Sequence, residues 1–563
     1  MKPEIYFNSF LRDYLEDDSE LSTALGLGSR TGLVLGNGAL TECTERFVAE
    51  RISRARACLD TLDGFDEATM SRDEAHSRRL LYWYLQRIVD AEPYCLNSYP
   101  VHSRGGLSDL LLSGVSQQLP MLLIHGHAIF TRQDAFDYLS RLHSVPVKLE
   151  QLQAVLIERH ARGFRTPALV MQRAIEAMRV HATAGAGHPL LLSFRQKLGV
   201  VLDISERERA VLLQMAASAI AESVSPAYGN LIGTCVALVA EAPESCSLAV
   251  RDDGPGYYRY LLTKFATTDA DPETLYLQAQ GEFERACDEL RSFLGHRDLC
   301  LSPRWASDLD TSAEALLAGA QACIDEISPQ VARDVAGPLS HPVRVEPMDE
   351  FMRPFAGQGY YQPPSCLSAG YGVFRLNPES CRREPAALRT LTVHETIPGH
   401  HLQSVHLYGR APALPAFRLA LPFHGYTEGW AVYAERLVAD LGFYEGDRVG
   451  ELGRLAADLR RSTRMLLDTG IHHRGWSQGQ ARRRLHSEIG EMAWLDEEIE
   501  RVCIQPGEGV SYKAGELALL SARERARKSW GAKFDLARFH HRVLDLGPCP
   551  LTMLGELVVA DPV

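Results

Sequence analysis

The stretch LTVHETIPGHHLQ, residues 391–403, constrains this chain more than any other, because it asks a helix to survive a proline and a glycine. Pro385 can open a helix through PAALRTLTVHET, with Leu388 and Leu391 at three-residue steps ahead of His394 as an apolar stripe against a core. His394-Glu395 then begins the H-E-x-x-H pattern. In that pattern two histidines four apart share a helix face and hold zinc at about 2.0–2.1 Å, while the glutamate handles water. Here the fourth position is Pro398, which has no ligand atom. His401 returns to the face of His394, but seven residues at 1.5 Å each place it roughly 10 Å further along a regular helix, too far to share an ion. Proline removes a backbone hydrogen bond and glycine admits unusual dihedrals, so Pro398-Gly399 can bulge outward. A two-residue bulge makes His400 the partner of His394, and a three-residue bulge makes it His401.

The segment HGYTEGWAVYAERL places Glu428 after Thr427, a candidate N-cap, at the start of another helix. Gluzincins take a third zinc ligand from a glutamate on a later helix, and Glu428 suits that role. Glu435 lies seven residues on, on the same face, where a carboxylate can orient a histidine ligand. Taken singly, the histidines read as helix-surface residues and Glu428 as a solvated helix-terminus carboxylate. Taken together, they point to a metal site.

The net charge of −13 comes from interspersed acids, which makes nucleic acid and anionic lipid poor partners for this surface. The N-terminus MKPEIYFNSFLRDYLEDDSE has acids where a secretion signal needs an apolar block, and the apolar stretch LSDLLLSGVSQQLPMLLIHGH is interrupted by Asp109, Gln117, Gln118 and Pro120. A cytoplasmic protein without membrane partners is expected. Twelve cysteines without a C-x-x-C pair read as reduced core thiols. Cys366 and Cys503 are candidates for a reactive thiol, with inert burial the favoured reading.

Helical periodicity dominates. ELGRLAADLRRSTRMLLDTG keeps Leu452, Leu455, Leu459 and Leu466 near one face, sets its arginines and Asp458 on the other, and offers Gly470 as a stop. In WSQGQARRRLHSEIG, Ser477 and Gln480 have capping-box spacing, and Pro272 suits a first helical position. The clearest strand is GYGVFRLNP, ended by Asn377-Pro378. HGH at His125 to His127 lacks an acidic partner nearby and reads as structural. The class is mainly α with a small β element, divided near residue 345 into an N-terminal helical lobe and a C-terminal catalytic lobe.

HETIPGHHLQ, TEGWAVYAERL, LLDTGIHHRGWS, QPGEGVSYKAGE and FDLARFHHRVLDLGPCPL resemble, in order and spacing, the successive motifs of the bacterial domain of unknown function 885 family in the zincin-like metallopeptidase clan. Weaker similarity extends upstream from about residue 80. KFATTD departs from the pattern, with Phe265-Ala266 where a histidine precedes the threonine run. The resemblance implies two helical lobes with a deep groove, one zinc ion per chain on the groove floor, and hydrolysis of peptide or related amide bonds. The implied ligands are His394, His400 and Glu428, with His401 as alternative to His400, Glu435 behind them and Glu395 as general base. Tyr512, His472 and His473 are candidates to stabilise the oxyanion or contact substrate, since related zincins use a phenol or imidazole from a distant segment. Tyr371, Gly372 and Val373 lie on the strand that could pair with an extended peptide. Two alternatives stay open: a zinc amidase acting on a non-peptide metabolite, and a non-catalytic helical binding protein. Oligomeric state and substrate identity are not readable.

Overall fold

A computed structural model describes residues 2–559 apart from 17, 26–37, 95–109, 184, 297–298, 300–310, 338, 351, 354–355 and 365–369. The chain divides into two compact units, Met1–Ser245 with Pro415–Ala420, and Cys246–Leu414 with Leu421–Val563. This division falls earlier than residue 345, because the helices between 254 and 331 pack inside the second unit. Tyr258 donates to Asp468 at 2.7 Å, and Arg285 pairs with Asp458 at 2.7 Å.

The described part of the first unit is helical. Its helix Arg132–Ala161 starts at a Thr131–Asp134 capping box and buries Tyr138, Leu142, Leu149, Leu152 and Leu156 at helical spacing. Tyr138 stacks on Phe194 with ring centroids 4.7 Å apart. His127 is fixed beneath this helix. Its Nδ1 accepts from Arg141 Nη1 at 2.9 Å, its Nε2 donates to the Asp134 carbonyl at 2.9 Å, and burial with Arg141 pushes its pKa down to about 4. The second histidine of HGH therefore has the structural role that its surroundings suggest.

In the second unit, α1 (Gly254–Phe265) leads to α2 (Pro272–Leu294), where Pro272 takes the first position behind an Asp271 cap. Next comes α3 (Ala313–Val331), followed by a three-stranded sheet with the order β1 (Val343–Pro347), β3 (Gly372–Leu376), β2 (Gly359–Gln362). β3 is central, parallel to β1 and antiparallel to β2. Both of its edges are occupied, so it cannot pair with an extended peptide as expected. Tyr371 instead carries the Arg344 guanidinium 4.1 Å from its ring, Val373 is buried, and a Cβ at Gly372 would lie 2.6 Å from His401 Nδ1.

The remaining helices include α4 (Leu388–Glu395), α5 (His400–Arg410), α6 (His424–Asp440), α7 (Arg448–His472), α8 (Gln478–Ile489), α9 (Leu495–Ile504) and α10 (Val510–Trp530). α7 buries the expected leucines but runs through Gly470, which is not a stop. A Cβ there would meet the Trp476 ring at 2.3 Å, so this glycine makes room for an indole. α8 begins at Ser477, with both capping-box bonds to Gln480 formed. The chain is thus mainly α with one small sheet, as the periodicity indicates.

Candidate metal centre

The proline and glycine of IPGHH divide one helix into two. α4 ends at Glu395, Thr396 leaves helical dihedrals at φ −118° and ψ −99°, and α5 starts at His400. The intervening turn is tied back onto α4, with the Gly399 N–H on the Val393 carbonyl at 3.1 Å and the His401 N–H on the Thr396 carbonyl at 3.0 Å. A Cβ on Gly399 would sit 2.0 Å from the His394 carbonyl oxygen, so only glycine fits this close return. Trp430 Nε1 donates to the Pro398 carbonyl at 2.8 Å, joining the turn to α6. The result sets the rings of His394 and His400 edge to face, 4.8 Å between centroids.

α6 supplies the carboxylates. It begins at His424, a turn earlier than expected, so Thr427 lies inside the first turn and is not the cap. Glu428 Oε2 lies 3.6 Å from His394 Nε2 and 3.7 Å from His400 Nε2. The ligand atoms of the three residues all lie within 4.8 Å of one another. Ligands bonded at about 2.1 Å around a tetrahedral ion stand about 3.4 Å apart, so this donor set fits one divalent ion. Seven residues along α6, Glu435 Oε1 accepts from His394 Nδ1 at 2.7 Å, so that the neutral ring would turn its Nε2 lone pair toward Glu428. Burial and Arg461 each act to lower the His394 pKa, but Glu428 and Glu435 outweigh them and raise it to about 9. Burial acts to raise Glu428, and the two histidines override it, holding the carboxyl well below its usual range. Glu395 is buried beside these groups, and that burial raises its pKa.

Arg461 is the residue the sequence reading missed. Its Nη2 lies 2.6 Å from Glu435 Oε1 and 3.1 Å from His394 Nδ1, so it fixes the carboxylate that fixes the histidine. The arginines of α7 lie away from its leucine face but are not left to solvent: Arg464 is buried against Glu498 at 2.6 Å and Arg460 reaches Glu498 and Glu384. Glu435, an acid placed behind a histidine, was the signal that a buried cation was needed.

His401 is not a ligand. Its Nε2 donates to the His341 carbonyl at 2.9 Å, its Nδ1 accepts from Tyr361 Oη at 2.9 Å, and burial lowers its pKa to about 4. The histidines ending α7 do not join the centre either. His472 takes the Leu248 N–H on Nδ1 and gives Nε2–H to the Val502 carbonyl at 2.9 Å, with its pKa pushed down to about 4 by burial. His473 pairs with Glu273 at 2.9 Å.

Tyr512 does approach the centre. α10 crosses α6 at two glycines, where a Cβ on Gly429 would lie 2.4 Å from Gly515 Cα. Tyr512 is three residues before Gly515 on α10, and Glu428 immediately precedes Gly429 on α6. The Tyr512 phenol is buried, which raises its pKa, and the Glu428 charge adds to the rise. Its Oη donates to Glu508 Oε1 at 3.1 Å and accepts from Arg501 Nη2 at 2.8 Å. At the KFATTD departure, Phe265 packs on His424 with centroids 5.7 Å apart, and Ala266 O would lie 2.5 Å from a Cβ on Gly425, so this segment braces the start of α6. Cys503 is buried against Cys246, whose thiol hydrogen-bonds it and raises its pKa, so it is inert, while Cys366 lies outside the described residues.

A solved structure from Colwellia psychrerythraea superposes with a TM-score of 0.90 over 99% of this chain and 98% of its own, at 24% identity. Another, from Shewanella oneidensis, gives 0.71 over 99% and 100%, at 17% identity. Both are described as a "putative lipoprotein", which overturns the cytoplasmic placement expected here. No curated protein matches the chain. The family model described as "Bacterial protein of unknown function (DUF885)" matches residues 20–558, and the chain belongs to that family.

Proposed function

We propose that the second unit is a zinc-dependent hydrolase of the zincin-like class, cleaving peptide bonds. The convergence of His394, His400 and Glu428 on one point, with Glu395 buried beside them, carries this reading. An ion bound there supplies a Lewis acid that makes water nucleophilic and polarises a carbonyl. Glu395 takes the proton from the attacking water and returns it to the leaving amine. Glu435, backed by Arg461, holds His394 in one tautomer. Tyr512, near Glu428, gives up its hydrogen bond to Glu508 and donates instead to the developing oxyanion. The lipoprotein description of both structural neighbours favours work outside the cytoplasm.

Metal analysis of purified protein, paired with hydrolysis of a peptide library, tests this. The expected result is one zinc per chain, lost in His394→Ala, His400→Ala and Glu428→Ala. Glu395→Gln keeps the metal and loses hydrolysis by about a hundredfold or more. Equal metal in all variants, or full turnover by Glu395→Gln, removes the assignment.

A further inference from the structure

We infer that Arg501 receives a carboxylate of the substrate, which makes this a site for peptides that present a free carboxylate near the bond cleaved. The inference rests on the hydrolase reading above.

It begins with a loop built to hold one glutamate. Asp468 is fully buried, and its carboxylate accepts the Gly507 N–H at 3.0 Å and the Gly509 N–H at 3.1 Å, while Tyr258 donates from the other side at 2.7 Å. Gly507 has φ +84°, a conformation that side chains rarely adopt. The residue pinned between these anchors is Glu508. Its Oε1 takes Arg501 Nη2 at 3.2 Å and Tyr512 Oη at 3.1 Å, so guanidinium and phenol are fixed together before any ligand arrives.

Arg501 differs from its neighbours in its exposure. Arg460, Arg461 and Arg464 have side chains 20%, 13% and 9% exposed and are committed to Glu498, Glu435 and Glu498 respectively. Arg501 is 40% exposed and binds Glu508 and Tyr512 through Nη2, while its Nε is buried. Its Nη1 donates to no described residue, and such a nitrogen offers a carboxylate a charge-assisted hydrogen bond. The Tyr512 phenol, bonded to this guanidinium, feels the charge of Glu428 across the helix crossing at Gly429 and Gly515. A cation fixed there offsets the acids Glu395, Glu428 and Glu435 for an incoming anion.

The carboxylate can be a chain terminus or an acidic side chain, and the test separates them. Zinc-loaded wild type, Arg501→Gln and Arg501→Lys are each assayed on one cleaved peptide in three forms: free C-terminus, C-terminal amide, and amide with an added glutamate beside the scissile bond. Wild type should prefer a carboxylate-bearing form by about tenfold or more in kcat/KM. Which form wins names the source. Arg501→Gln should collapse that ratio toward one, chiefly through KM, and Arg501→Lys should restore part of it. Unfolding midpoint and zinc content identify any variant that fails to fold. A wild type that cleaves all three forms equally, or a preference that survives in Arg501→Gln, overturns the inference and leaves the hydrolase standing. A wild type that cleaves no peptide overturns both.

Discussion

Of the three adjacent-histidine pairs in the second unit, two bear on the candidate site: His400-His401 at the start of α5 and His472-His473 at the end of α7. Each doublet divides its labour the same way, with one ring turned onto backbone and the other onto a carboxylate. His401 and His472 are buried, their nitrogens occupied by His341 and Tyr361 in one case and by Leu248 and Val502 in the other. The difference lies in the other member. His400 faces Glu428, an acid 19% exposed and shared with His394, whereas His473 faces Glu273, with side chains 31% and 42% exposed. A doublet offers a candidate metal site only where a second imidazole and a shielded acid converge on it. Sequence adjacency confers nothing by itself.

Removing the shared acid should break the contrast most strongly. Glu428→Gln is expected to lower zinc affinity by more than about a hundredfold, while Glu273→Gln leaves it unchanged, as competition with a chelating dye would show. Glu435→Gln should cost about 10- to 100-fold, because the acceptor behind His394 loses its charge and can present its amide nitrogen instead. Equal losses from Glu428 and Glu273 would make the two doublets equivalent. Within the first doublet, His400→Ala should remove the metal with little change in the stability of the metal-free protein. His401→Ala should leave metal stoichiometry intact and cost about 2–4 kcal/mol in urea unfolding, from a cavity plus an unsatisfied His341 carbonyl and Tyr361 hydroxyl. The reverse assignment would restore His401 as the ligand.

The sequence could show which residues form the centre but not which neighbour of each pair does so. His394, Glu428 and Glu435 were legible because spacing along a helix fixes a face, and the caps at Ser477 and Asp271 are local. The choice of His400 over His401 was not, because it is made by Tyr361 and the His341 carbonyl, 40 and 60 residues away. The edge role assigned to β3 failed for a similar reason, since alternation identifies a strand but not its place in a sheet. Periodicity puts the arginines of α7 opposite its leucines but does not say what covers that face, and Glu435, Glu498 and Glu384, brought from other segments, hold Arg461, Arg464 and Arg460 inward. Gly470 has the composition of a helix end, but Trp476 folds back over it.

The second doublet yields the smaller effects. The pKa of His472 is depressed in the folded chain from 6.5 to about 4, so its contribution is complete above pH 6.5 and is lost as pH falls toward 4, when the unfolded chain takes up a proton that the folded chain refuses. That is about 3 kcal/mol across the window. His472→Gln, which keeps a neutral donor and acceptor, should flatten the acid limb of a plot of urea midpoint against pH by about one proton. An unchanged slope would mean that His472 is protonated in the fold.

His473 gives the least. Its partner Glu273 also receives Arg474, so the carboxylate stays paired when the imidazole is removed. An exposed pair of this kind contributes about 0.2–1 kcal/mol and weakens with salt. His473→Ala should therefore shift the unfolding midpoint by less than about 1 kcal/mol, less still in high salt, and leave zinc content and peptide turnover unchanged. If turnover fell while the midpoint held, His473 would be contacting substrate. The two doublets would then differ in the partner they use and not in whether they serve the reaction.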